Sequence, residues 1–198
     1  MDLSRLVGLV IQGKFQDNMS PLVSIANLIL SSLTVIAQVA SVLLLIVLIF
    51  YRKGSGIAIL EFVSKRAVLF SFIVALVAML GSLFYSEVAG FDPCKLCWFQ
   101  RIFMYPQAIL FGVALLKRDR HLSDYGIVLS SVGAVIAGYH YLLQRGIAPA
   151  VSCSAVGYSV SCSRIFVMNL GYITIPLMAF SAFSLILMLQ IISRLRQK

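Results

Sequence analysis

Five long apolar stretches of the chain contain no Asp, Glu, Lys or Arg, and they constrain the fold more than any other feature. They cover residues 18–51, 67–86, 102–116, 125–144 and 165–193. A helix needs about 20 apolar residues to cross the hydrocarbon core of a membrane. The third stretch reaches that length only if it begins near Leu96 and includes Arg101. With 61% hydrophobic and 12% charged residues, the chain is predicted to be an all-α membrane protein with five transmembrane helices.

The distribution of cations predicts how the helices are oriented. Ten of the 16 Lys and Arg residues follow the first, third and fifth stretches: Arg52, Lys53, Lys65, Arg66, Lys117, Arg118, Arg120, Arg194, Arg196 and Lys198. Lys and Arg accumulate in short cytoplasmic loops, so the other two loops, which carry all four cysteines, are predicted to face outward. Disulfides persist in such compartments. The same bias explains the net charge of +9, and we expect no nucleic-acid partner.

The N-terminal part of the chain is predicted to contain two membrane-associated segments. Residues 1–20 place Leu3, Leu6, Val7 and Val10 at helical spacing, which is typical of an interfacial amphipathic helix; a frayed terminus is the alternative. Residues 21–51 form an apolar run that is too long for the core of a signal peptide. We therefore predict that this run is retained as a transmembrane helix.

The sequence FDPCKLCWFQRIFMYP contains the first cysteine pair. Asp92 is a suitable N-cap and Pro93 a suitable first helical residue, because proline has no amide to leave unpaired. Cys94 and Cys97 are then expected in the first turn of a helix. The helix dipole favours negative charge there, and a Cys-x-x-Cys motif at a helix start is the arrangement that lowers a thiol pKa. The reactive species is the thiolate.

Two polar residues within apolar helices are candidate partners of this pair. Arg101 follows Cys97 by four residues, so the two side chains share one helix face. A buried guanidinium is unfavourable, and a thiolate or an electron acceptor beside it would compensate; anchoring to lipid headgroups is the alternative. His140 lies near the outward end of the fourth helix, where it could donate a hydrogen bond or shuttle a proton. The alternative for His140 is a packed structural residue.

The second cysteine pair, Cys153 and Cys162, encloses eight residues in a loop of few apolar residues. A bridge there would contribute about 2 to 3 kcal/mol through chain entropy, which is little for a protein held by lipid. A disulfide on an exposed loop is instead well placed for attack by the thiolate of another protein. An inert stabilising bridge is the alternative.

The sequence resembles a known family at four places. They are the run PCKLCWFQRIFMYP, the later YHYLLQ, the paired loop cysteines and the closing LGYITIPLMAFSAF. Together they resemble DsbB-type quinone-dependent disulfide-generating proteins, in particular the BdbC-like branch, over roughly residues 67–193. Relatives of vitamin K epoxide reductase carry their loop pair before the Cys-x-x-Cys motif, whereas this chain carries it after.

The resemblance implies a fold, a location and a reaction. The fold is a four-helix transmembrane bundle over residues 67–193, to which residues 21–51 add a helix that the family core lacks. The location is the bacterial cytoplasmic membrane, which the protein crosses several times with both cysteine pairs on the extracytoplasmic side. The reaction is oxidation of a DsbA-like thioredoxin-fold oxidase with transfer of the electrons to the membrane quinone pool, either ubiquinone or menaquinone.

The resemblance also implies roles for individual residues. Cys97 engages the quinone and Cys94 completes its disulfide. Arg101 supports the thiolate and the quinone, and His140 lies close to the quinone. In the loop, Cys153 forms the mixed disulfide with the partner oxidase and Cys162 is its intramolecular partner. No metal is implied.

Two other functional classes fit parts of the sequence. In one, the four thiols bind zinc and the protein has a structural role, although the spacing of the pairs does not require a closed tetrahedral site. In the other, the protein carries reducing equivalents outward from the cytosol. That function requires cysteines accessible from the cytoplasm, and the predicted topology places none there.

Overall fold

The computed structural model describes residues 21–50, 57–117, 122–148 and 161–197. Within these ranges five helices are long and apolar enough to span a membrane, which confirms the predicted all-α membrane fold. They are α1 (Pro21–Phe50), α2 (Ile57–Leu83), α3 (Lys95–Lys117), α4 (Ser123–Gln144) and α5 (Ile175–Gln197). A π-helical turn at Phe84–Val88 extends α2. The predicted amphipathic helix at residues 1–20 lies outside the described residues.

Two helices begin at positions that differ from the apolar stretches of the sequence. Helix α2 begins ten residues before the stretch at 67–86, and its first turns carry Glu61 and Lys65, which form an ion pair of 2.8 Å. Such pairing at i and i+4 allows a helix to continue past its apolar part. Helix α5 begins at Ile175, not near residue 165, and Pro176 lies in its first turn, where a missing amide is tolerated.

Helix α5 is the central element of the bundle, since it packs against α1, α2 and α4. Phe183 and Ile186 of α5 are fully buried in a cluster that includes Phe111 of α3. The Phe183 ring lies against the backbone of α4 at Gly133, where a β-carbon would collide with the ring. The close approach of α4 and α5 therefore depends on glycine at this position.

Polar contacts attach α1 to the rest of the bundle near its N-terminal end. Tyr85 Oη donates a hydrogen bond of 2.9 Å to Asn27 Oδ1, and Asn169 Nδ2 donates one of 2.6 Å to Ser31 Oγ. Lipid offers no partners to polar groups, so such groups must be satisfied within the protein. Near its other end, α1 contributes Leu44 and neighbouring side chains to an apolar cluster with α2 and α5.

We expect Gly133→Ala to destabilise the bundle by about 1 to 3 kcal/mol, because the added methyl group overpacks the interface with Phe183. Gly138→Ala is the matched control on the same helix: its β-carbon would lie 3.4 Å from the Phe180 ring, an ordinary contact. Thermal unfolding in detergent, followed by circular dichroism, would measure both variants. An equal change in Tm for the two substitutions would contradict the assigned packing.

Candidate functional site

The first cysteine pair lies at the start of α3, on either side of the first helical residue. Cys94 precedes the helix, and its carbonyl accepts the first helical hydrogen bond from the amide of Trp98, at 3.1 Å. Cys97 is the third residue of the helix. The predicted helix start at Asp92 and Pro93 is therefore wrong by two residues. Asp92 and Pro93 lie in the irregular segment between α2 and α3.

The two thiols contact each other directly. Cys94 Sγ donates a hydrogen bond to Cys97 Sγ over 3.2 Å, and Cys94 is buried whereas Cys97 is half-buried. This hydrogen bond and burial together raise the pKa of the Cys94 thiol to about 12, with an opposing contribution from His140. For Cys94 the direction is opposite to the lowering that the motif predicts. The proton of the pair therefore stays on Cys94.

Arg101 is fixed by contacts with the last turn of α2. Its Nε donates to Ser82 Oγ at 2.9 Å and its Nη2 donates to the Ser82 carbonyl at 3.0 Å. The guanidinium also lies over the Trp98 ring, 5.2 Å from its centroid, where a cation–π interaction is favourable. These contacts fix the position of a positive charge one helical turn below Cys97.

A cavity of about 280 Å³ adjoins both Cys97 and Arg101. Its walls are largely apolar and come from α1, α2, α3, α5 and the segments next to α3 and α5. The lining residues closest to the cysteine pair in sequence are Phe91, Asp92, Pro93, Cys97, Gln100 and Arg101. A mostly apolar cavity with a few polar groups at one end is typical of a site for a small organic molecule.

His140 lies on the other side of the cysteine pair from this cavity and does not line it. Its Nε2 donates to the carbonyl of Cys162 at 3.0 Å and lies 3.7 Å from Cys94 Sγ. Its Nδ1 accepts a hydrogen bond of 2.9 Å from Gln100 Nε2. These partners correspond to the neutral tautomer with the proton on Nε2. The residue therefore connects Cys94, the second cysteine loop and, through Gln100, the cavity.

Cys162 is brought next to the first cysteine pair. It forms a buried cluster with Cys94 and Leu143, and Cys97 packs against that cluster. Cys94, Cys97 and Cys162 are all present as thiols. Cys153 lies outside the described residues. One cysteine of the second pair, Cys162, therefore lies beside the Cys-x-x-Cys motif.

Two residues of this site were not predicted from the sequence. Gln100 contacts His140 and lines the cavity, and Ser82 holds Arg101. Gln100 carries a signal in the sequence, because it follows Cys97 by three residues and shares its helix face. Ser82 carries none, since serine is common in apolar helices and its contact is with another helix.

The cysteine pair and His140 are also close enough together to be considered as a metal site. One ligand atom each from Cys94, Cys97 and His140 lies within 4.8 Å of the others. Both ring nitrogens of His140, however, already have hydrogen-bond partners in Gln100 and Cys162. Zinc binding would need one of these bonds to break, and a structural zinc site also needs a fourth ligand. The arrangement suits a dithiol better than a metal centre.

Comparison with known proteins assigns the larger part of the chain to one family. The family model described as "Disulfide bond formation protein DsbB" matches residues 64–193. This range contains α3 and α4 and most of α2 and α5, with all four cysteines, and it begins after α1. No solved structure matches the chain.

Relatives carry names that agree with this match. A "Probable disulfide formation protein" of Oceanobacillus iheyensis is 41% identical over 130 residues, which are 65% of this chain and 89% of the relative. The "SPbeta prophage-derived disulfide bond formation protein B" of Bacillus subtilis is 44% identical over 62% of this chain and 81% of its own length. The "Disulfide bond formation protein C" of the same organism is 43% identical, over 59% of this chain and 84% of the relative.

We expect the alkylation rate of Cys94 in the reduced protein to keep rising from about pH 7 to about pH 10, because only the thiolate reacts. With its pKa raised to about 12, Cys94 has no plateau in that range. Iodoacetamide labelling followed by peptide mass spectrometry would measure it. Cys97→Ala removes the sulfur that contributes most to the shift, so Cys94 should react faster in that variant. A plateau below about pH 9 in the unmodified chain would contradict the assigned proton position.

Proposed function

Because the chain belongs to the DsbB family of disulfide bond formation proteins, we propose that it is a membrane thiol oxidase that passes electrons to a quinone. Its reducing substrate would be an extracytoplasmic, thioredoxin-fold oxidase similar to DsbA. The observation that carries the proposal is the cavity that Cys97 and Arg101 line together. A relay from DsbA through DsbB to quinone is the established source of oxidising power in the bacterial periplasm.

The residues around the cavity fit a quinone. The flat ring and isoprenoid tail of a quinone are apolar and suit the cavity walls, and its carbonyl oxygens accept hydrogen bonds. Arg101 has five N–H groups, of which the contacts with Ser82 use two. Gln100 offers a second amide hydrogen besides the one directed at His140. When bound, a quinone supplies an acceptor for two electrons and two protons.

The cysteine pair is arranged to lose two electrons as a unit. Cys97 holds negative charge because it accepts the hydrogen bond from Cys94 and lies near a fixed guanidinium. Cys94 retains its proton until the disulfide closes. Closure forms one S–S bond between Cys94 and Cys97 and releases two electrons and the single proton held by Cys94, because Cys97 has already lost its own. The sulfurs are already in contact, so closure requires little movement of the backbone.

The loop pair would receive electrons from the partner. A thiolate of the reduced partner attacks Cys153 of the Cys153–Cys162 disulfide and displaces Cys162. The partner's second thiolate then attacks the mixed disulfide, which releases the partner as its disulfide and leaves Cys153 and Cys162 as thiols. A second exchange, in which the Cys94–Cys97 disulfide is reduced, restores the loop disulfide. The packing of Cys162 against Cys94 supports this second exchange. Each exchange transfers two electrons and leaves the total number of disulfides unchanged.

We assign His140 to the exchange between the two cysteine pairs. Its contacts with Cys94 and with the Cys162 carbonyl hold Cys162 against the motif, and its Nε2–H can donate to the Cys94 sulfur once that sulfur has lost its proton. Direct contact of His140 with the quinone stays a prediction of the resemblance. The structure links His140 to the cavity through Gln100.

The proposed location is the bacterial cytoplasmic membrane, with both cysteine pairs on the extracytoplasmic side. Support comes from the opposite end of the bundle, where Lys117, Arg194 and Arg196 lie at the ends of α3 and α5. The described cysteines lie at the other end, at the start of α3 and in the segment before α5. A conduit for cytosolic reducing equivalents finds no support in this arrangement.

Cys97→Ser should abolish quinone reduction, because serine cannot form the disulfide that releases the electrons. Arg101→Ala should lower the rate by about 10 to 1000-fold, as expected for loss of a group that stabilises developing charge. Arg145→Ala is the matched control, because Arg145 is exposed at the same end and bonds to the Gly171 carbonyl. Stopped-flow quinone absorbance with a reduced partner would measure all three. Unchanged turnover in both Cys97→Ser and Arg101→Ala would contradict the proposed mechanism.

With the partner supplied as its disulfide, Cys162→Ala should accumulate a covalent complex, because the Cys153 thiolate opens the partner disulfide and no Cys162 thiol remains to displace the partner from Cys153. A non-reducing gel would show the adduct, and reductant should dissolve it. In the double variant Cys153→Ala with Cys162→Ala no adduct should form. Failure to trap any complex in the single variant would contradict the role proposed for Cys153.

A further inference from the structure

The cavity extends away from the cysteine pair toward the middle of the membrane. On α2 its lining runs from Ser82 to Ile73. At a helical rise of 1.5 Å per residue, this distance is about 14 Å along the bundle axis. The membrane span formed by α2 and the π-helical turn covers Ala58–Val88, so Ile73 lies at its centre. The redox chemistry is therefore connected by an apolar passage to mid-membrane depth.

Helix α1 forms one wall of this passage without closing against α2. It contributes Leu33, Thr34 and Ala37 to the lining, and at the same level Gln38 is held to α5 by a hydrogen bond of 3.1 Å to Ser181. The outward end of α1 is attached through Asn27 to Tyr85. Between these attachments Leu30 of α1 packs close to Gly81 of α2, and the cavity occupies the space beside them. This wall, helix α1, lies outside the region that the family model matches, which begins at residue 64.

The passage opens on the lipid-facing surface between α1 and α2. Among the described residues that line the cavity, Leu33 is 41% exposed, Ile36 63% and Ile73 46%. All three lie at the middle of their helices and carry purely hydrocarbon side chains. The one other exposed lining residue in the described ranges is Asp92, at the aqueous end. The two openings thus differ completely in polarity.

We propose that the seam between α1 and α2 is a lateral portal through which an isoprenoid quinone enters the cavity from the membrane interior. Helix α1 sets the width of this portal through Leu33, Ile36 and Ala37. The long apolar tail of such a molecule partitions into hydrocarbon, and a rim of Leu and Ile admits it without dehydrating any polar group. The inference rests on the proposed function, because it names the entry route for the same acceptor.

The test compares entry of a tailed and a tail-less quinone into the oxidised protein. Menaquinone-4 carries an isoprenoid tail, and dimethylnaphthoquinone has the same ring system without it. Trp98 is the only tryptophan of the chain and stacks on Arg101 at the cavity, so the rate at which each probe quenches its fluorescence reports binding without turnover. Ala37→Phe narrows the seam. Ala40→Phe is the control, because Ala40 is also half-buried on α1 but does not line the cavity.

We expect Ala37→Phe to slow association of menaquinone-4 by about tenfold, equal to ~1.4 kcal/mol of barrier, and to leave dimethylnaphthoquinone within about twofold. Leu33→Ala removes bulk from the rim and should accelerate menaquinone-4. The portal is refuted if neither Ala37→Phe nor Leu33→Ala changes the association rate of menaquinone-4, or if Ala37→Phe slows both probes equally. It is also refuted if Ala40→Phe slows menaquinone-4 as strongly as Ala37→Phe does. Absence of quenching by either probe in the unsubstituted chain would instead refute the proposed quinone site itself.

Discussion

A guanidinium placed inside an apolar helix must find its partners within the protein, and the rest of the site depends on where Arg101 finds them. Its hydrogen bonds to Ser82 join α3 to the last turn of α2 and fix a positive charge near Cys97. Water at that depth is scarce, so the charge is weakly screened and acts strongly on nearby sulfur. A π-helical turn begins two residues after Ser82, and such turns are frequent at functional sites.

The site has a polar side and an apolar side, with the cysteine pair between them. On the polar side, His140 bonds to Gln100 and to the carbonyl of Cys162. On the apolar side, the cavity contacts Cys97 and leaves Cys94 out. The two thiols therefore have different surroundings although they are three residues apart. This asymmetry suits a pair in which one sulfur exchanges with another disulfide and its neighbour delivers electrons to a lipid-soluble acceptor.

Much of the architecture could be predicted because it depends on local sequence. Uncharged stretches predicted all five helices, the third only when it was extended back to Leu96 and included Arg101, and the four-residue spacing placed Arg101 on the same face as Cys97. What could not be predicted depends on contacts between helices. The position of His140 beside Cys94 results from the packing of α4 against α3, and the bond from Arg101 to Ser82 joins two helices. The start of α5 at Ile175 also escaped prediction, because the segment before it is apolar yet irregular.

The mid-membrane opening described between α1 and α2 has a consequence for selectivity. A void that faces hydrocarbon fills with phospholipid acyl chains, so any guest displaces a fatty tail of similar chemistry and gains little from the walls themselves. Preference for the guest over the surrounding lipid must then come from the few groups able to form hydrogen bonds at the closed end, chiefly Arg101 and Gln100. Affinity would accordingly vary with the composition of the bilayer around the protein, even with every side chain unchanged.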